Sequence, residues 1–372
     1  MRLRHLEWMA ATGLGVWAAA RLAGADRIAG TQAWTVPWLA FTPQAAVGAC
    51  VGAVALRSRG PRIVAGLAGV ALSAAVLPRA IPRRQPQATG PVLRVLTANL
   101  LGGRAQAAAI VDLVQKTGAD VLFVQDLDDE AATALEKAGL GGLLNGQVTR
   151  PVADRARGGG IYARYPLENA WGDGWLSPHG GAGGDGAGGD GAGGDGVTPD
   201  GGPEGDSGLA CGGGLGRDRL GRGSEPDRRR ALESAAQCAG WLRMPSGQRV
   251  RLVCVHAPPP KPWNPAGAAR WRRELAMLPP PGLSPVTMAG DFNATLDHLQ
   301  FRRLLRRGYR DAAGQVGRGL RLTWGPRPSR PPALLTLDHV LIDPRCAVRA
   351  TSVHRLAGSD HHALYAEIGL PG

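Results

Sequence analysis

Residues 286–293, VTMAGDFN, decide the fold. A short apolar run, a glycine, then a carboxylate and a carboxamide two positions apart describe a buried strand that delivers Asp291 and Asn293 to one side of its end. Strand ends of this kind gather side chains from distant parts of a chain into one cleft.

Working outward, polar residues mark strand ends in four further clusters, the last of them made of two linked pieces. Asn99 leaves VLRVLTAN (92–99), where an asparagine also serves as a turn residue. Asp126 follows VLFVQ (121–125), and its alternative is a helix N-cap. His256 closes RLVCVH (251–256) ahead of three prolines, which remove backbone donors and stiffen the loop; a satisfied structural histidine is the other reading. Asp338-His339 lies in LLTLDHVLID (334–343), and Ser359-Asp360-His361-His362 stands near the C-terminus, where adjacent Asp and His offer a hard oxygen ligand and a base at one spot. Further strand-like runs are 237–244 and 363–368, and helical spacing covers 105–117, 266–277 and 296–307. Many short strands with a few helices predict a layered α/β sandwich. His298, His339, His354 and His362 stay structural or unassigned, and Trp263 and Trp324 read as packing residues at or near the cleft.

The first 81 residues differ in kind. Ala33–Leu56 runs 24 residues without a charge, enough for a transmembrane helix, and the shorter apolar segments Trp8–Ala20 and Ile63–Leu77 read as two further spans. A cleavable signal peptide is the alternative for the first of them. Three spans with a cytoplasmic N-terminus would put everything after Leu77 outside the cytoplasm, although the basic residues flanking the segments are equal in number on the two sides. Residues 82–91 read as a linker and 92–372 as the catalytic domain. Within it, 172–223 holds GAGGD three times in tandem and too few apolar residues to offset its ordering entropy. It reads as a disordered insertion; a calcium-binding repeat is the alternative, against which the period of five counts.

Only three of the 43 basic residues are lysines, so the net charge of +13 reflects arginine-rich composition as much as an anionic partner, whether nucleic acid, lipid headgroup or phosphorylated substrate. Five scattered cysteines show no zinc-ligand spacing, and a Cys211–Cys238 disulfide is conceivable.

Taken together, Asn…Asp…His…Asp-x-Asn…Asp-His…Ser-Asp-His resembles the endonuclease/exonuclease/phosphatase superfamily of DNase I-like nucleases, inositol phosphatases and sphingomyelinases. GDFN, LDHVL and SDHH carry the resemblance most specifically, and GGGIYARYPL (158–167) looks like the family segment with Arg164 at its basic position. HAPPP, Trp271-x-x-Glu274-Leu275 and Thr323-Trp324 resemble membrane-anchored actinobacterial members, among them VanJ-type teicoplanin-resistance proteins. The resemblance implies a four-layered α/β sandwich and a metal-dependent phosphoesterase. Asn99, Asp126 and Asp360 would surround Mg²⁺ or Mn²⁺; Asp338 would orient His361 as base; Asp291 and Asn293 would position the nucleophile. His256 would stabilise the transition state, and Arg164, Asn293 and His256 would contact the substrate phosphate. Asp126 departs from the family's usual glutamate, which leaves a binding-only domain as one alternative and an extracytoplasmic nuclease as another. A phosphorylated, lipid-linked substrate and the membrane are the expected partners, with nucleic acid as a further possibility; no obligate protein partner is inferred.

Overall fold

The computed structural model describes residues 2–28, 30–152, 158–169, 236–326 and 332–372. Its helices are α1 (Arg2–Ala23), α2 (Gln32–Leu39), α3 (Thr42–Ala55), α4 (Arg59–Val76), α5 (Ala107–Thr117), α6 (Asp129–Lys137), α7 (Pro265–Met277), α8 (Leu299–Arg306) and α9 (Ala312–Gln315). Its strands are β1 (Val92–Asn99), β2 (Val121–Gln125), β3 (Gly146–Arg150), β4 (Gly159–Ala163), β5 (Leu167–Asn169), β6 (Ala236–Arg243), β7 (Arg249–His256), β8 (Val286–Asp291), β9 (Arg310–Asp311), β10 (Asp338–Ile342), β11 (Ala347–Arg355) and β12 (His362–Gly369).

The strands form two six-stranded sheets, ordered β11-β12-β1-β2-β4-β3 and β5-β6-β7-β8-β10-β9. Each has one parallel pair, β1–β2 and β7–β8, bridged by α5 or α7 because parallel neighbours need a crossover. Side chains alternate as a strand requires: β1 sends Leu93 and Val95 into the seam between the sheets, and Leu96 and Ala98 under α5. In the seam they meet Phe123, Ile161, Leu252 and Val340. Outside it, Ile110, Val114 and Leu135 cover one sheet, while Trp271, Leu275 and Phe301 cover the other. The layers therefore run helix, sheet, sheet, helix.

The N-terminal region departs from three straight spans. Among the described residues, Arg59–Ala80 alone is long and apolar enough to cross a membrane; Gln32–Leu39 and Thr42–Ala55 qualify only jointly, and they meet at 71°. The uncharged stretch breaks there because Pro43 lacks a backbone donor and crowds Thr42, and because Val36 of α2 is buried in the same outer core as Trp271 and Phe292. α1, α3 and α4 pack through small residues, including Ala18, Ala46, Ala49 and Ala68.

This region is fastened to the loop after β8. Arg21 Nε lies 2.7 Å from Asp297 Oδ1 and Arg79 Nη1 2.8 Å from Oδ2, all buried. The backbone N–H of Leu299 donates to Asp26 Oδ2 (2.6 Å), and His298 Nε2 lies 2.7 Å from the Val36 carbonyl. Residues 82–91, read as a linker, also lie along the domain: Pro82 bridges to Val316, Arg83 N donates to Gln315 O, and Gln85 bonds both backbone polar groups of Val348. The insertion at 172–223 and Cys211 lie outside the described residues; Cys238 is a buried free thiol opposite Cys254 in the β6–β7 register.

Candidate active site

The register of the two sheets delivers the polar clusters to one end of the sandwich. β1, β2, β7 and β8 finish there, and β10 and β12 start there; Asn99 pairs with Gln125, His256 with Asp291, and Asp338 with Asp291. Gly290 permits the close approach of β7 and β8: its φ is 145°, and a Cβ would fall 1.9 Å from the Val255 carbonyl oxygen.

Asp291 is the centre. Its Oδ2 accepts from the amides of Asn99 and Asn293 (both 3.1 Å), and its Oδ1 accepts from the Asn293 backbone N–H (2.8 Å). Two imidazoles face the same Oδ2, His256 and His361, each with Nε2 at 3.6 Å. Behind each ring stands a carboxylate: Asp126 Oδ1 lies 3.2 Å from His256 Nδ1, and Asp338 Oδ2 lies 2.9 Å from His361 Nδ1. Two Asp–His pairs thus converge on one carboxylate. Asp126 and Asn293 hold positive φ angles of 57° and 45°, strain that persists where a site requires it.

Burial pushes the Asp291 carboxyl above the ordinary range, the His361 charge pulls it back, and Asp338 and Asp126 push it further. Burial works against charge on His361, but Asp338 and Asp291 outweigh it and raise the imidazole's proton affinity.

The structure gathers Asn99, Asp126, His256, Asp291, Asn293, Asp338, Asp360 and His361 in this one cluster. Arg164 is a correction. It follows β4, which runs antiparallel to β2, and so emerges at the opposite end of that strand, about 20 Å from Asp126 at roughly 3.3 Å per residue. There it pairs with Asp120 (3.4 Å). His298 and His339 prove structural: His339 lies 2.9 Å from both Asp311 Oδ1 and the Ala294 carbonyl, and His298 Nδ1 accepts from Thr295 N. Trp324 counts for more than packing, since its indole N–H donates to Asp360 Oδ2 (3.0 Å). Ser359 also takes part: its hydroxyl donates to the Asn99 carbonyl and accepts from His361 N, tying β1 to the base. Contacts to Asp360 and Asn99 are the reason both matter, and nothing local in sequence marks them.

The donor set suits a hard divalent cation. Asp291, Asp338 and His361 offer atoms within 4.8 Å of one another, a grouping that differs from the Asn99, Asp126 and Asp360 set. Asp360 Oδ1 is buried without a hydrogen-bond partner among the described residues, an oxygen that a cation would satisfy.

The family model described as "Endonuclease/Exonuclease/phosphatase family" matches residues 96–361, most of the chain. The chain belongs to the endonuclease/exonuclease/phosphatase family. It is a metal-dependent phosphoric ester hydrolase. Among solved structures, this family member is similar to a humanized D. rerio TDP2 (15% identity, 74% of this chain and 98% of that one, TM-score 0.46). It is also similar to a Bacteroides thetaiotaomicron protein of the same family (14%, 76% and 100%, 0.47) and to the B. thetaiotaomicron VPI-5482 mannosyl-6-phosphatase (15%, 74% and 99%, 0.45). No curated protein matches it.

Proposed function

We propose that the protein is a membrane-anchored, Mg²⁺-dependent phosphoesterase, with Mn²⁺ as the alternative ion, that hydrolyses a lipid-linked phosphate ester or diphosphate by attack of water. The convergence of two Asp–His pairs on Asp291 carries this reading. A divalent cation, which Asp360, Asn99 and Asp126 would hold, supplies neutralisation of charge on the scissile phosphate. Asp338 fixes His361 through Nδ1, so Nε2 is the atom that receives the proton of the attacking water. Asn293, whose amide also donates to the Ala257 carbonyl, and Asp291 position that water, and His256 stabilises the phosphoryl or leaving oxygen.

Anchoring is supported by where apolar surface is exposed. Val47, Val51 and Val54 on α3 and Ile63, Leu67 and Val70 on α4 all face outward, whereas beyond residue 81 the exposed large hydrophobics among the described residues are Trp263, Leu283 and Leu322. Three spans from a cytoplasmic N-terminus would put the catalytic domain outside the cytoplasm, which is the placement proposed, whereas Arg59–Ala80 and the bent pair counted as two spans would put it on the side of the N-terminus. A C-terminal phosphatase fusion active only outside the cytoplasm tests this, and an inactive one overturns it.

The test uses the full chain in detergent with Mg²⁺, supplied with a diphosphate-linked isoprenoid, a simple phosphodiester and plasmid DNA, and Asp291→Ala as control. Hydrolysis of the isoprenoid that the substitution abolishes supports the proposal. Cleavage of DNA alone, which the +13 charge would favour, makes it a nuclease. No turnover by folded, metal-saturated protein makes it a phospho-ligand-binding module.

A further inference from the structure

A cavity of about 230 Å³ opens at the joint between the N-terminal helices and the catalytic domain. Val47 of α3 forms one wall, and Leu296, Leu320, Leu322 and Leu335 form the others. Its polar side chains already have protein partners. Gln44 donates to the Leu334 carbonyl, Thr336 donates to the Arg321 carbonyl, Thr295 accepts from Asp297 N, and Arg79 is paired with Asp297. An occupant therefore meets walls that are mostly aliphatic, with each polar side chain already holding at least one protein partner, which suits hydrocarbon better than a sugar, a base or a polar peptide.

Two connections give the cavity a place in the chemistry. Thr295 and Leu296 lie two and three residues beyond Asn293, and Leu335 pairs with Trp324, the residue that donates to Asp360. Both flanks are continuations of active-site segments. On the far side, Val47 belongs both to the wall and to the exposed stripe Val47, Val51, Val54, whose spacing of four and three keeps it on one helix face. The wall is continuous with the apolar surface read above as facing lipid.

We propose that this cavity is a subsite for the hydrocarbon chain of a phosphorylated amphiphile, entered from the bilayer along α3, with the phosphate end presented to the Asp291 centre. This rests on the reading of the protein as a membrane-anchored phosphoesterase. The chain fixes which end of the substrate arrives and raises the local concentration of the phosphate; the catalytic groups remain those already described.

The experiment compares hexadecyl with butyl phosphate, and the matching p-nitrophenyl diesters, on the full chain with Mg²⁺ in detergent. The variants are Leu320→Trp, which fills the cavity from the domain, and Val47→Trp, which fills it from the anchor. Displacing two or more methylenes should lower kcat/KM for the long-chain substrate about tenfold or more, and leave the short-chain value unchanged in at least one variant. In parallel, a hexadecyl phosphate bearing a terminal diazirine should label α3 and residues 319–326 or 332–336, and both variants should suppress that labelling. Equal rates for long and short chains in wild type, or labelling confined to α1 and α4, overturns the subsite while leaving the phosphoesterase intact. Failure of wild type to cleave either chain length defeats the functional reading itself.

Discussion

Asp297→Asn tests whether the N-terminal helices and the active site are one structural unit. The carboxylate is fully buried and serves two guanidinium groups, Arg21 at 2.7 Å and Arg79 at 2.8 Å. Removing one partner of a buried pair leaves charge without compensation, at a cost of about 3–5 kcal/mol, a large part of a stability that is about 5–15 kcal/mol in typical domains. For a chain of this size that corresponds to a fall in Tm of roughly 4–6 °C. Near-ultraviolet circular dichroism of the full chain in detergent measures it, and the hydrolysis rate should fall as well, since Asp297 lies four residues beyond Asn293 on the same loop. Replacing the whole triad by apolar residues (Arg21→Met, Arg79→Met, Asp297→Leu) should recover most of the loss. Acid provides a further check. Burial raises the Asp297 carboxyl's proton affinity, but Arg79 and Arg21 outweigh it and hold the folded value below the ordinary one. The stabilisation is then complete above the unfolded value of about 4 and is lost as pH falls through the folded value, so wild type and Asp297→Asn should converge in strong acid. A variant within about 1 °C of wild type at neutral pH, with unchanged hydrolysis, would refute the coupling.

Asp338→Asn should leave the fold intact and lower kcat about a hundredfold or more with little change in KM, because His361 loses the partner that fixes its ring; equal kcat would remove Asp338 from the machinery. Asp126→Glu should keep or raise activity and metal affinity, measured by Mg²⁺ titration of the rate, and a clear loss would mean that Asp126 serves chiefly to hold His256. Gly290→Ala should fail to give folded protein, since the added methyl would meet the Val255 carbonyl; a native far-ultraviolet spectrum with wild-type Tm would contradict the register of β7 and β8.

Much of the site was legible because its residues sit where an apolar run stops. Asn99, Asp126, His256 and Asp291 each mark the C-terminal end of a strand, and such ends converge when the strands are parallel, as β1–β2 and β7–β8 are. Arg164 was misplaced for the converse reason: a motif gives no strand direction, and β4 runs against β2. The pairing of Asp126 with His256 was also invisible, since a carboxylate after a strand looks alike whether it meets a metal or an imidazole. β11 escaped notice because it is a half-exposed edge strand with little apolar contrast. The Asp297 node is set by contacts more than 200 residues distant in sequence, which no local pattern encodes, and the break after Leu39 combines the local Pro43 with such a distant contact, His298 on the Val36 carbonyl.

The clamp on residues 297–299 removes any leash between helices and active site. Under the membrane anchoring proposed above, an enzyme mounted this way would not swing out to collect substrate from the bulk. On that same proposal, the quantity governing its rate would be the mole fraction of substrate in the surface it occupies: adding inert lipid would slow it, while adding buffer would not.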